Sequence, residues 1–222
     1  MTSQNDLETA YNSLLVGNPP VQSPNQANDA FEVYILALVL TAAKEEAASI
    51  EYESSKKVIN PSPLLFRSTP GKIFSPLHDY CHANIQFPDG IHFEAHIGVY
   101  LEGLAGVIHE CDVLVIDKSE GHFCRNNNVH PKKTNAVLTV ECKFYAGNIG
   151  IALGRQFLGL TADLGKEGRF FITNSDGKSV NKILAYHKCQ WFFGLTPLDI
   201  DTQTQVIAMF RKTFRDIKAR RR

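Results

Sequence analysis

Two strand-like segments carry acidic side chains at a spacing that lets them act together, and one of them adds a lysine. The first reads His109-Glu110-Cys111-Asp112-Val113, the second Val140-Glu141-Cys142-Lys143-Phe144. Residues two apart share one face of a strand. Glu110 therefore projects with Asp112, and Glu141 with Lys143, while Cys111 and Cys142 face away. If the two strands are antiparallel neighbours, the carboxylates and the lysine meet at one strand end. Two carboxylates can hold a hard cation such as magnesium through oxygen, and a lysine beside them can stabilise developing negative charge. Activating a water and neutralising a charged transition state are what phosphodiester hydrolysis requires.

Glu-x-Lys alone is weak, because an exposed strand often carries it as a solvated pair. Context strengthens it. The flanks Val113-Leu114-Val115-Ile116 and Ala136-Val137-Leu138-Thr139-Val140 are apolar, so the charges lie within buried strands. Charge there is costly unless it has a partner or a ligand.

The elements that must position these groups follow from pattern. Residues 1–27, rich in Asn, Gln, Ser and Pro, read as a flexible arm or loosely docked lead-in. Residues 28–222 read as a single domain, with a catalytic core over 91–195. Asn28 and Asp29 can cap a helix over 30–49, apolar nearly all round and so deep in the fold. Prolines and turn residues make 54–90 a long, partly irregular connection. Strands are expected over 91–102 and 107–117, joined by Gly103-Leu104-Ala105-Gly106. A polar loop, 118–134, leads to a strand over 136–145. Then come a helix (150–164), a strand (169–173), a helix (178–187), a strand (189–194) and an amphipathic basic helix (202–222) with Val206, Phe210, Phe214 and Ile217 on one face. The expected class is α/β, a central mixed sheet flanked by helices in the order α-β-β-β-α-β-α-β-α.

With 23 basic and 23 acidic side chains, no global positive field exists, and any nucleic-acid binding must use local patches. One candidate is the run Arg211, Lys212, Arg215, Lys218, Arg220, Arg221 and Arg222. It can grip phosphates, or simply set cations at the negative end of a helix. Five cysteines, an odd number, and the lack of an export signal suggest reduced thiols in the cytoplasm. The apolar run over 33–43 is about half of the roughly 20 residues a membrane span needs, so no membrane partner is expected. Zinc is a rival reading of the His and Cys residues over 109–142, but structural zinc favours paired loop ligands. Cys111 and Cys142 lie mid-strand and read as small core residues. His122 and Cys124, in the expected loop, are the pair to follow.

Three segments resemble the PD-(D/E)xK, restriction-endonuclease-like nucleases, with the Mrr-like restriction endonucleases the nearest branch. They are Gly103 to Asp112, Glu141-Cys142-Lys143-Phe144-Tyr145, and Gln156-Phe157-Leu158-Gly159 leading to Gly168-Arg169-Phe170-Phe171-Ile172-Thr173-Asn174-Ser175. The resemblance implies a restriction-endonuclease-like core and a Mg²⁺-dependent endonuclease acting on DNA, double-stranded by preference, with Mn²⁺ able to substitute and defence against foreign DNA as its setting. It implies that Asp112 and Glu141 ligate the metal, with the Cys142 carbonyl as a third ligand, and that Lys143 orients the attacking water. Gln156 would position water or contact the backbone of the substrate. Glu32 stands where some members add a further acid. Glu110 would be a second ligand or a partner for Lys143. Cutting two strands suggests a homodimer, and the lack of a DNA-reading motif over 1–90 suggests a partner subunit for targeting. Two departures stand out: His109-Glu110-Cys111 replaces a glycine-rich approach to the aspartate, and 118–134 is long. The alternative is a catalytically silent module of the same fold that binds nucleic acid or a protein.

Overall fold

A computed structural model describes residues 2–221. Helix α1 (Gln4–Leu14) occupies the expected arm. The Ser3 hydroxyl accepts from the Asp6 N–H at 3.2 Å, and the Asp6 carboxylate accepts from the Ser3 N–H at 2.8 Å. This reciprocal cap starts the helix. Leu7 and Tyr11 then bury completely against the next helix. The lead-in is therefore a packed element: polar residues cover its outer face, while two large apolar ones four apart share the inner face. Tyr11→Ala is expected to cost about 3 kcal/mol, measurable as a lower denaturant midpoint at unchanged slope.

Helix α2 (Ala27–Glu45) begins earlier and ends sooner than expected. Gln26 precedes it without a side-chain cap, so Asn28 and Asp29 lie inside its first turn. Every residue over 30–40 is buried except Glu32. After the helix the chain turns through Ala47, at a positive φ of 67°. It then enters β1 (Ser49–Ser54), followed by β2 (Cys81–Gln86), β3 (His92–Glu102) and β4 (Ile108–Asp117). Next come α3 (Lys118–Asn127), β5 (Ala136–Lys143), α4 (Ile151–Leu164), β6 (Arg169–Thr173), α5 (Lys178–Tyr186), β7 (Gln190–Phe192) and α6 (Ile200–Arg221).

The seven strands form one mixed sheet in sequential order. Pairs from β1 to β5 are antiparallel, and β5, β6 and β7 run parallel. The α/β class is as expected, with two strands and two helices more than the sequence pattern indicated. Side chains alternate between two cores. Val113 and Val115 face α1, α2 and α6, whereas Leu114 and Ile116 face Cys124 of α3 and Leu164 of α4. No helix among the described residues is long and apolar enough to cross a membrane.

The basic run of α6 is spent within the molecule. Arg211 pairs with Glu45 and Glu46 at 2.8 and 2.9 Å, Arg215 and Lys218 with Glu46, Lys212 with Asp216, Arg220 with Glu167, and Arg221 with Asp117. Arg222 lies outside the described residues. Most of these charges fasten α6 to α2 and to the rim of the sheet.

Candidate active site

Strands β4 and β5 are antiparallel neighbours, as the convergence of their charges requires. Their ladder ends at Val113↔Val140, one rung short of Asp112 and Glu141. Beyond it the Cys142 N–H donates to the Asp112 carboxylate at 2.6 Å. A side chain thus takes the place of a backbone acceptor where the strands part. On the other side of Asp112 lies Gly98 of β3, at a φ of 60°, where only glycine is free of strain. This left-handed residue breaks the strand alternation. Ile97 joins the core under α2 but Val99 joins the opposite one, and Val113 and Cys111 divide the same way.

Lys143 connects the two acids. Its ammonium lies 2.6 Å from Glu141 Oε1 and 3.7 Å from Asp112 Oδ2. The strand beyond it is pinned by Asn174, whose amide oxygen accepts from the Tyr145 N–H at 2.8 Å and whose amide donates to the Tyr145 carbonyl at 3.0 Å. The Thr173-Asn174-Ser175 end of β6 therefore fixes the backbone just past the lysine.

Charge makes this a site. Asp112 is buried, and burial together with the nearby Glu141 pushes its carboxyl up to about 7, although Lys143 and the Cys142 N–H pull the other way. Glu32, the one polar interruption in the apolar stretch of α2, is pushed up to about 9 by burial and by the fields of Asp112, Asp29 and Glu110. Glu110 is exposed and raised as well, by partial burial and by Glu141. Burial opposes the charge on Lys143, yet Glu141 and Asp112 hold its pKa above the usual lysine value. Four carboxylates face one lysine. The pocket is short of positive charge.

Oxygen donors with too little positive charge among them suit a hard divalent cation. Asp112, Glu141 and the Cys142 carbonyl are the groups that would hold it, with Glu32 and Glu110 in the same electrostatic field. Among the described residues no three His, Cys, Asp or Glu side chains stand close enough to clasp an ion by themselves. A cation here must therefore draw on the carbonyl and on solvent or substrate oxygens, as magnesium commonly does.

Other expected residues fall elsewhere. Gln156 stands exposed on α4, and its side chain has no hydrogen bond among the described residues. His122 and Cys124 lie on α3 rather than in a loop. One is exposed and the other fully buried, so they cannot act as paired ligands. His109 is held by Asp163 at 2.7 Å, which fastens the turn before β4 to the end of α4.

The sequence reading passed over a second buried polar group. Glu94, fully buried on β3, receives both Arg125 Nη atoms, at 2.9 and 2.5 Å, and lies 3.1 Å from His96 Nε2. Burial would push this carboxyl up, but His96 and Arg125 hold it well below the usual range. His82 stacks on His96 at 4.8 Å, and burial and that neighbour push its imidazole down to about 3. Arg125 is thereby what docks α3 onto the sheet. The charges of α3 had suggested solvated loop.

No family model, no curated protein and no solved structure matches this chain.

Proposed function

We propose that this chain is a Mg²⁺-dependent endonuclease of the PD-(D/E)xK, restriction-endonuclease-like kind, hydrolysing phosphodiester bonds in DNA. One observation carries the reading: Lys143 bridges Glu141 and Asp112 where the strands part, and burial together with Glu141 pushes the Asp112 carboxyl up to about 7. Bound there, the metal would supply Lewis acidity and a more acidic water. The protein's own groups do the rest. Asp112 and Glu141 present oxygens at the point where the strands part, and the Cys142 N–H fixes the Asp112 carboxylate. Lys143 holds a permanent positive charge where a scissile phosphate would gather negative charge. Glu32 holds its proton at neutral pH while no cation is present, which lowers the charge that must be tolerated. A setting in defence against foreign DNA, and a homodimer that cuts both strands, extend the same resemblance.

The test is incubation with supercoiled plasmid in the presence of Mg²⁺ or Mn²⁺. Nicked and linear products are expected, and none with a chelator. Salt-sensitive DNA binding without any cleavage, under both metals, would replace this reading with the silent module.

A further inference from the structure

A cleft of about 490 Å³ opens between the start of β5, the 165–168 turn and α6. This lies within the roughly 300–1,000 Å³ of small-molecule sites. It sits at the opposite end of β5 from Lys143. Ala136 and Lys143 are seven positions apart on β5, about 23 Å at strand rise, so the two sites are distinct.

Its lining carries five cations, Lys133, Lys166, Arg169, Lys212 and Arg220, against the two acids Glu167 and Asp216. Both acids are already engaged, Glu167 by Arg220 and Asp216 by Lys212. Lys166 donates to the His187 carbonyl. The Lys133 ammonium has no hydrogen bond or ion pair among the described residues.

Arg169 is the decisive group. It is only 4% exposed, and an arginine so buried is ordinarily paired with an acid. Among the described residues Arg169 meets none. Its Nη atoms reach only the carbonyls of Gly168 and Ala136, each at 3.3 Å, and its Nε has no partner. Gln190, on the same lining, also leaves its Oε1 unpartnered. A buried guanidinium with unspent donors is costly unless an anion completes it. Five cations less two acids leaves three in excess. That is more than a single carboxylate would balance, and it suits a phosphate monoester with close to two charges. The planar guanidinium fork matches phosphate oxygens in pairs.

We propose that this cleft binds a phosphate-bearing ligand through Arg169 and Lys133. The phosphate can belong to a small nucleotide or to the backbone of a nucleic acid. Arg169 is too buried to replace without endangering the fold, so the test uses Lys133→Glu/Lys166→Glu. Calorimetric titrations at low salt would use inorganic phosphate, adenosine monophosphate and a short DNA duplex. Wild type is expected to bind at least one of them, and the double variant to bind it tenfold or more weakly at an unchanged melting temperature. Asp112→Asn is expected to bind like wild type, so the outcome is independent of the hydrolytic reading. Competition by the duplex against adenosine monophosphate would assign backbone phosphate, and its absence a small ligand. Lack of binding by all three probes at millimolar concentration, or equal binding by the double variant, overturns the proposal.

Discussion

Lys143→Ala is expected to slow magnesium-dependent DNA cleavage by about 10²–10³-fold, the usual loss when a group aimed at developing charge is removed. The fold should survive. The lysine side chain is partly exposed and ends β5, so its loss leaves no large cavity. Its removal does strip Glu141 of a partner at 2.6 Å and Asp112 of one at 3.7 Å. The pocket becomes still more negative, so magnesium should bind as tightly as in wild type or more tightly while chemistry fails. Asp112→Asn should do the reverse to binding, weakening magnesium along with the rate. Single-turnover cleavage of a labelled duplex, with metal titrations on both variants, separates the roles. An unchanged rate for Lys143→Ala would remove the lysine from the chemistry, even if the protein cuts DNA.

The core of this site was legible because a strand has a period of two. Glu141 and Lys143, two apart on β5, had to share a face, and the antiparallel register of β4 and β5 set Asp112 beside them. On β4 the alternation is upset beside the left-handed Gly98 of β3, which the sequence pattern did not reveal. Strand β6 was legible to the residue, since a solid apolar block between glycine and a polar turn leaves little choice. Strands β1 and β2 were not. On β2 the alternation is carried by His82 and Asn84, which are buried for the polar network around Glu94 rather than for apolar contact. Helix α3 escaped for a related reason. Its apolar face is reduced to Gly121 and Cys124, and Arg125 supplies the docking. At Gln156 a motif specifies sequence distance and the helix sets the phase: Phe157 turns inward and Gln156 outward. For Glu32 a physical signal existed. It is the one acid over 30–40, where every other residue is buried, so it has little solvent to face and lies in the field of Asp112 instead.

That acid leads to the second large effect. In the metal-free protein, melting temperature is expected to fall as pH rises from about 5 to about 9. The sign follows from the raised carboxyls. Asp112 titrates near 7 and Glu32 near 9, where unfolded aspartate and glutamate titrate near 4. The folded state therefore binds more protons than the unfolded one throughout that window, and stability declines with pH. Below about pH 4 both states are protonated and the full benefit is retained. As pH passes 7 and then 9 it is lost, by an amount on the order of 4 kcal/mol for Asp112 and about 6 kcal/mol for Glu32 at most. Glu32→Gln should remove its share of the decline and raise the metal-free melting temperature at pH 8 by about 10–20 °C. Magnesium should produce a comparable rise in wild type at pH 8 and little at pH 5, because protons and cation relieve the same repulsion and compete for the same oxygens. Glu141 and Lys143 then give a check within the same scan. Lys143→Ala should steepen the pH dependence, since the cation that opposes the acids is gone, whereas an unaltered slope would mean that these carboxylates do not feel the lysine.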